Sequence, residues 1–133
     1  MPRFAPYGFA RVPVIFYVPI PGGTTAADIV TAYAPGHTFT VEKVTAIVAV
    51  AGAGAGASRT LQVRKNNTVI ASATVTLAGT ATTGAQIDLP ISGDATFRDG
   101  DTLSVGFASG GTAFTAGALN VVLRTRQRLQ RER

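Results

Sequence analysis

Side chains that exchange protons, attack carbonyl carbons or hold metal ions are sparse in this sequence. His37 is the single histidine and there is no cysteine. Neither a thiolate nor a second imidazole is therefore available for a zinc site. His37 follows Gly36 in an expected loop, where a solvated or structural role fits it. A serine triad needs a histidine between an acid and a serine raised on a sharp elbow, and the chain has no G-x-S-x-G run. Six carboxylates precede the last ten residues: Asp28, Glu42, Asp88, Asp94, Asp99 and Asp101. Asp99 and Asp101 flank Gly100, as in a turn, and two acids fall well short of the six to eight oxygens of a calcium site. Nothing marks two of the six as the facing pair of a glycoside hydrolase. The expectation is a protein that is not an enzyme, with no cofactor, no metal and no small-molecule substrate.

The one dense charge cluster is C-terminal. Arg124, Arg126, Arg128, Arg131 and Arg133 stand against Glu132, a net +4 of the chain's formal +5, so the rest is close to neutral. Guanidinium forks suit carboxylates on a protein surface and also suit nucleic-acid phosphates. No aromatic residue interleaves with these arginines, so base stacking is not supported. The reading favours a protein surface over a merely solvated tail, and both over nucleic acid. Alternation places Arg124 and Arg126 on one face, where the last strand runs into the tail.

The elements that would carry these groups are strands. Val44, Ala46, Val48 and Val50 alternate with Thr45, Ile47 and Ala49. Leu61 and Val63 alternate with Thr60, Gln62 and Arg64. The same period of two recurs at Val69–Val75, Ile87–Ile91, Leu103–Phe107 and Leu119–Leu123, the signature of half-buried strands. Asn66-Asn67 reads as a tight hairpin turn, because asparagine tolerates positive φ. Ser92-Gly93-Asp94, Asp99-Gly100-Asp101 and Gly110-Gly111 are further breaks. Ala51–Ala57, alternating Ala and Gly, is not a phosphate loop, since no Gly-Lys-Ser/Thr follows and the next element is a strand. It reads as a loop, or as a strand extension whose glycines permit close backbone approach. Such spacing predicts an all-β chain with a single β-sandwich, jelly-roll-like, over residues 39–126. An Arg-rich tail follows over 127–133.

Residues 1–38 differ in character. Six of the seven prolines fall there, with Phe4, Tyr7, Phe9, Phe16, Tyr17 and Tyr33, six of the ten aromatics. Proline lacks the N–H that a central strand must donate, so this region is not central sheet. It reads as an extended N-terminal arm laid along a partner, with Phe4, Tyr7, Phe9, Phe16 and Tyr17 as its contacts. The alternative is an edge strand of the same sandwich. The opening residues lack a basic stretch followed by an uninterrupted apolar run. Val12–Ile20 is broken by Pro13 and Pro19 and is too short to span a bilayer, which takes ~20 residues. No membrane association or secretion is expected.

Two stretches carry a resemblance. Leu61-Gln-Val-Arg-Lys-Asn-Asn-Thr-Val-Ile, followed by Phe97-Arg-Asp-Gly-Asp-Thr-Leu-Ser-Val, resembles small β-sandwich proteins of tailed-bacteriophage virions. The layout of a hairpin and then F-x-x-G-D-T-L is also similar to trimeric jelly rolls of the tumour-necrosis-factor and C1q type. The Ala/Gly/Thr/Val-rich texture of residues 39–123 resembles phage head decoration (cement) proteins. The likeness spans about two thirds of the chain and leaves out the arm and the tail. It implies a structural protein made in the host cytoplasm and carried on the capsid surface. There it would bind the major capsid protein and itself, as a homotrimer, and stabilise contacts between capsid subunits. A head fibre, a tail or baseplate adaptor, or a carbohydrate-binding module are the alternatives. The last suffers from a strand region whose only aromatics are Phe39, Phe97, Phe107 and Phe114.

Overall fold

A computed structural model describes residues 9–19, 27–33, 38–53, 58–76, 83–112 and 116–128. These segments form strands β1 (Phe9–Pro19), β2 (Ala27–Tyr33), β3 (Phe39–Ala53), β4 (Ser58–Lys65), β5 (Thr68–Thr76), β6 (Gln86–Leu89), β7 (Thr96–Phe97), β8 (Leu103–Phe107) and β9 (Ala116–Arg128). There is no helix among the described residues. One sheet runs β1-β9-β3-β6, with β7 also on β3, and the other runs β2-β8-β4-β5. All pairings are antiparallel. The two sheets pack together as an all-β sandwich.

Period-two patterning explains the packing, because alternate side chains of a strand point to opposite faces. Val44, Ala46 and Val48 of β3 and Leu119, Val121 and Leu123 of β9 turn inward. They meet Leu61 and Val63 of β4 and Val105 and Phe107 of β8 in one continuous core. Strand β8 lies between β2 and β4 and is buried on both faces. Its outward positions are accordingly the small Ser104 and Gly106.

The β4–β5 hairpin turns on Asn66 and Asn67, with φ of 49° and 68°. Two successive positive φ values make a type I′ turn, whose twist matches that of the flanking strands. The F-x-x-G-D-T-L run forms one physical unit. Phe97 is buried and stacks on Phe39 at 5.0 Å, with ring planes 9° apart. Gly100 supplies a φ of +94° in the turn closed by the Asp101 N–H donating to Arg98 O at 3.0 Å. Leu103 then starts β8.

The ends of the sandwich differ from the sequence reading. Where the expected N-terminal arm is described, it consists of two strands, β1 and β2, each at the edge of a different sheet. Strand β1 pairs with β9 over its whole length, from Phe9↔Arg128 to Pro19↔Ala118. An edge position is what makes Pro13 tolerable, since alternate N–H groups of an edge strand point away from the sheet. The edge-strand alternative thus describes 9–19 better than an arm laid on a partner. At the other end β9 continues to Arg128, past the expected boundary at 126, because Ala10 and Phe9 of β1 go on pairing with Gln127 and Arg128. Along the Ala/Gly run, β3 extends through Ala53, opposite Ala116.

Candidate docking face

The outer face of the β1-β9-β3 sheet carries Tyr17, Arg124 and Arg126, three of the six candidate residues that are described. Along β1, Val14, Phe16 and Val18 face inward and pack on the core. Ile15 and Tyr17, in the opposite phase, are 60% and 58% exposed. Register places Ile15 beside Val122 and Tyr17 beside Asn120. On the far side of β9, Thr45 stands opposite Val122 and Ile47 opposite Asn120. Ile15, Tyr17, Val122 and Ile47 therefore share an uncharged zone on the outside of the sheet with Asn120 and Thr45. Of the five expected arm contacts, Tyr17 presents itself outward, whereas Phe16 belongs to the chain's own core. Phe9 opens β1 opposite Arg128, and Phe4 and Tyr7 lie outside the described residues.

The same face is basic at its other end. Pairing slips between Val41↔Thr125 and Lys43↔Arg124, so β3 carries one extra residue, a bulge at Glu42. A bulge re-aims a side chain that strict alternation would send elsewhere. Here Glu42 and Lys43 are both exposed, one after the other. Glu42 reaches Arg126, with Nε–Oε2 at 3.8 Å. Arg124 stands directly between Pro13 of β1 and Lys43 of β3. Neither Lys43 nor Arg124 has an ion-pair partner among the described residues. Val12, Pro13, Glu42, Lys43 and Arg124 line a hollow of about 230 Å³. Beneath it, the buried Thr125 hydroxyl donates to Val12 O at 2.6 Å and ties β1 to β9.

Arg124, Arg126 and Arg128 thus sit in a paired strand and not in a free tail, while Arg131 and Arg133 lie outside the described residues. Arg124 and Arg126 share the outer face, with the buried Thr125 between them, as alternation requires.

A second polar cluster closes the hairpin end of the sandwich. Lys65 Nζ lies 3.0 Å from Asp94 Oδ2 and 3.7 Å from Asp101 Oδ2, and 6.0 Å from the centroid of the Phe97 ring. Its side chain is 13% exposed. The Thr96 N–H and the Lys65 ammonium hold the Asp94 carboxyl below its ordinary range. The Asn66 amide and the Arg98 N–H do the same for Asp101. The acids flanking Gly100 therefore serve the turn: Asp101 accepts the Arg98 N–H at 2.9 Å, and Asp99 is exposed. Among the described residues no group of three or more His, Cys, Asp or Glu is placed to hold a metal ion. His37 lies outside the described residues.

One buried cation was not singled out by sequence reasoning. Arg59 is 1% exposed, its Nη2 donates to Ala108 O at 2.8 Å, and its guanidinium lies 5.4 Å from the Phe107 ring centroid. The signal was its phase, because Arg59 falls in step with Leu61 and Val63, the inward positions of β4. It clips β4 to the end of β8 next to a backbone bridge, where Thr112 N donates to Ser58 O at 2.8 Å. That contact is structural.

No helix among the described residues is long and apolar enough to cross a membrane. No family model matches the chain, and no curated protein or solved structure matches it either.

Proposed function

We propose that this chain is a structural component of a tailed-phage virion, a decoration protein. It binds the outer surface of the head and stabilises contacts between major capsid protein subunits. The observation that carries this reading is the sheet face on which Ile15 and Tyr17 stand more than half exposed. Exposed aromatic and apolar residues on a rigid sheet are what a binding surface requires.

The strand order supports the jelly-roll form of the sandwich. If β6 and β7 are taken as one interrupted partner of β3, the orders β1-β9-β3-β6 and β2-β8-β4-β5 are those of two interleaved Greek keys. A cysteine-free sandwich of this size gains stability from contacts with its own copies, which fits a homotrimer. Many copies on a lattice add avidity to a modest single contact.

The test is to mix purified protein with mature shells assembled from the major capsid protein, then measure co-sedimentation and shell resistance to heat. Binding with a rise in shell stability, and three-fold density on imaging, is the expected result. Indifference to shells, with a glycan-dependent thermal shift of the isolated protein, would overturn it in favour of a sugar-binding module.

A further inference from the structure

We infer that the basic end of the outer β1-β9-β3 face is a receiving site for a carboxylate side chain of a protein partner, seated over Lys43 and Arg124 in the hollow beside Val12 and Pro13. The argument starts from the ladder. Lys43 and Arg124 are direct cross-strand neighbours, and like charges placed opposite each other on one sheet face are mutually destabilising. Within the described residues neither cation has a carboxylate. Arg126, one step along the same face, has one in Glu42. The bulge at Glu42 brings Lys43 to this surface, and Pro13 gives the hollow a rigid apolar wall. An anion placed between the two cations relieves their repulsion and gains charge-assisted hydrogen bonds to both.

The occupant is argued from charge complementarity and from what adjoins the site. The uncharged zone of Ile15, Tyr17, Val122 and Ile47 continues the same face toward the other end of β1. A protein surface that offers an acid flanked by apolar side chains matches both zones. Aromatic and arginine anchors at the centre of a contact are the usual composition of such interfaces. A nucleic-acid backbone fits less well. It presents a phosphate at every step and would lay charge along the uncharged Ile15–Tyr17 zone within one sheet's width. The inference does not depend on the virion reading, and its test uses no capsid.

The experiment follows backbone amide shifts of the full chain at about 150 mM salt. It is titrated separately with a peptide alternating Glu and Leu, with free glutamate, and with a 20-base-pair DNA duplex. Saturable shifts at Val12, Glu42, Lys43 and Arg124 are expected with the peptide, and at least tenfold weaker ones with glutamate and with DNA. The Lys43→Glu/Arg124→Glu double variant is expected to lose peptide binding at least tenfold. Lys43→Met should lose part of it while keeping the wild-type amide spectrum elsewhere, which separates a lost site from a lost fold. Tighter binding of the duplex at these residues would overturn the inference in favour of nucleic acid. Shifts with glutamate as strong as with the peptide would overturn the protein-partner assignment in favour of a general anion site. No shift at these four residues with any probe would also overturn it.

Discussion

Asn66 and Asp101 are 35 residues apart in the chain, yet the Asn66 amide donates to the Asp101 carboxylate at 2.9 Å. The other half of the same amide accepts the Thr102 N–H at 2.9 Å. A hairpin tip and a distant turn are thereby locked to each other through one side chain. Asn66 also holds the φ of 49° that the turn needs, so it acts both on its own backbone and across the sandwich. Asn66→Ala should lower the stability of the chain by about 1–2 kcal/mol in urea unfolding, from the lost bonds and the left-handed strain. Asn66→Gly removes the strain and should recover part of that loss.

Acid should loosen the same corner. Asp94 and Asp101 are held below their ordinary value of 3.8 in the folded chain. A carboxylate with a depressed folded pKa contributes stability that is present above its unfolded pKa and is lost as the pH falls through the folded one. Urea midpoints measured from pH 7 downward should therefore hold until about pH 4 and then fall. Asp101→Asn should be less stable at pH 7 and show a flatter acid limb.

In the core, Phe97 and Phe39 stack face to face under this corner. Phe97→Ala should cost about 3–5 kcal/mol, and Phe97→Leu clearly less, because the leucine refills most of the space. Loss of near-ultraviolet signal and an earlier melting midpoint would register the difference.

At the opposite end, Gly111 adopts a φ of +80°, and a Cβ there would run into the carbonyl oxygen of Ser58. That oxygen already accepts the Thr112 N–H. Gly111→Ala should destabilise by about 1–3 kcal/mol. Gly84, whose φ is +94° and which has nothing within 4 Å of a Cβ, should tolerate the same change better. Parallel thermal melts of the two variants check this.

The two faces of β1 predict opposite outcomes for neighbouring residues. Ile15→Thr with Tyr17→Thr should shift stability by no more than about 0.5 kcal/mol while abolishing shell binding. Phe16→Ala should cost about 1–3 kcal/mol, because that ring packs on the core. A binding assay and a melt on each variant separate the surface from the interior.

The strands of residues 39–123 and their main turns were legible in the sequence because alternation and asparagine turns are local signals. Leu61 and Val63, for instance, turn inward as their phase requires. The edge position of β1 was not legible. Its prolines signal that it is not a central strand, but its partner β9 lies about a hundred residues on, and nothing local announces that pairing. The same limit applies to the face. Arg124 and Arg126 could be placed side by side from their spacing, but their neighbours Lys43 and Glu42 depend on a bulge in another strand. Arg59 was legible in principle, yet charge usually marks an outward position, and this one is in phase with the core.

The position of β9 between β1 and β3 has a consequence for biosynthesis. Strand β1 leaves the ribosome before its hydrogen-bonding partner, which emerges about a hundred residues later. At ~5–20 residues per second, Val12, Val14, Phe16 and Val18 spend about 5–20 s without the strand that covers their backbone. During that interval the nascent chain carries an uncapped apolar strand able to pair with other nascent copies. Pro13 and Pro19 interrupt the row of donors that such mispairing would use. The prolines that resist the mature fold's regularity thus guard its assembly.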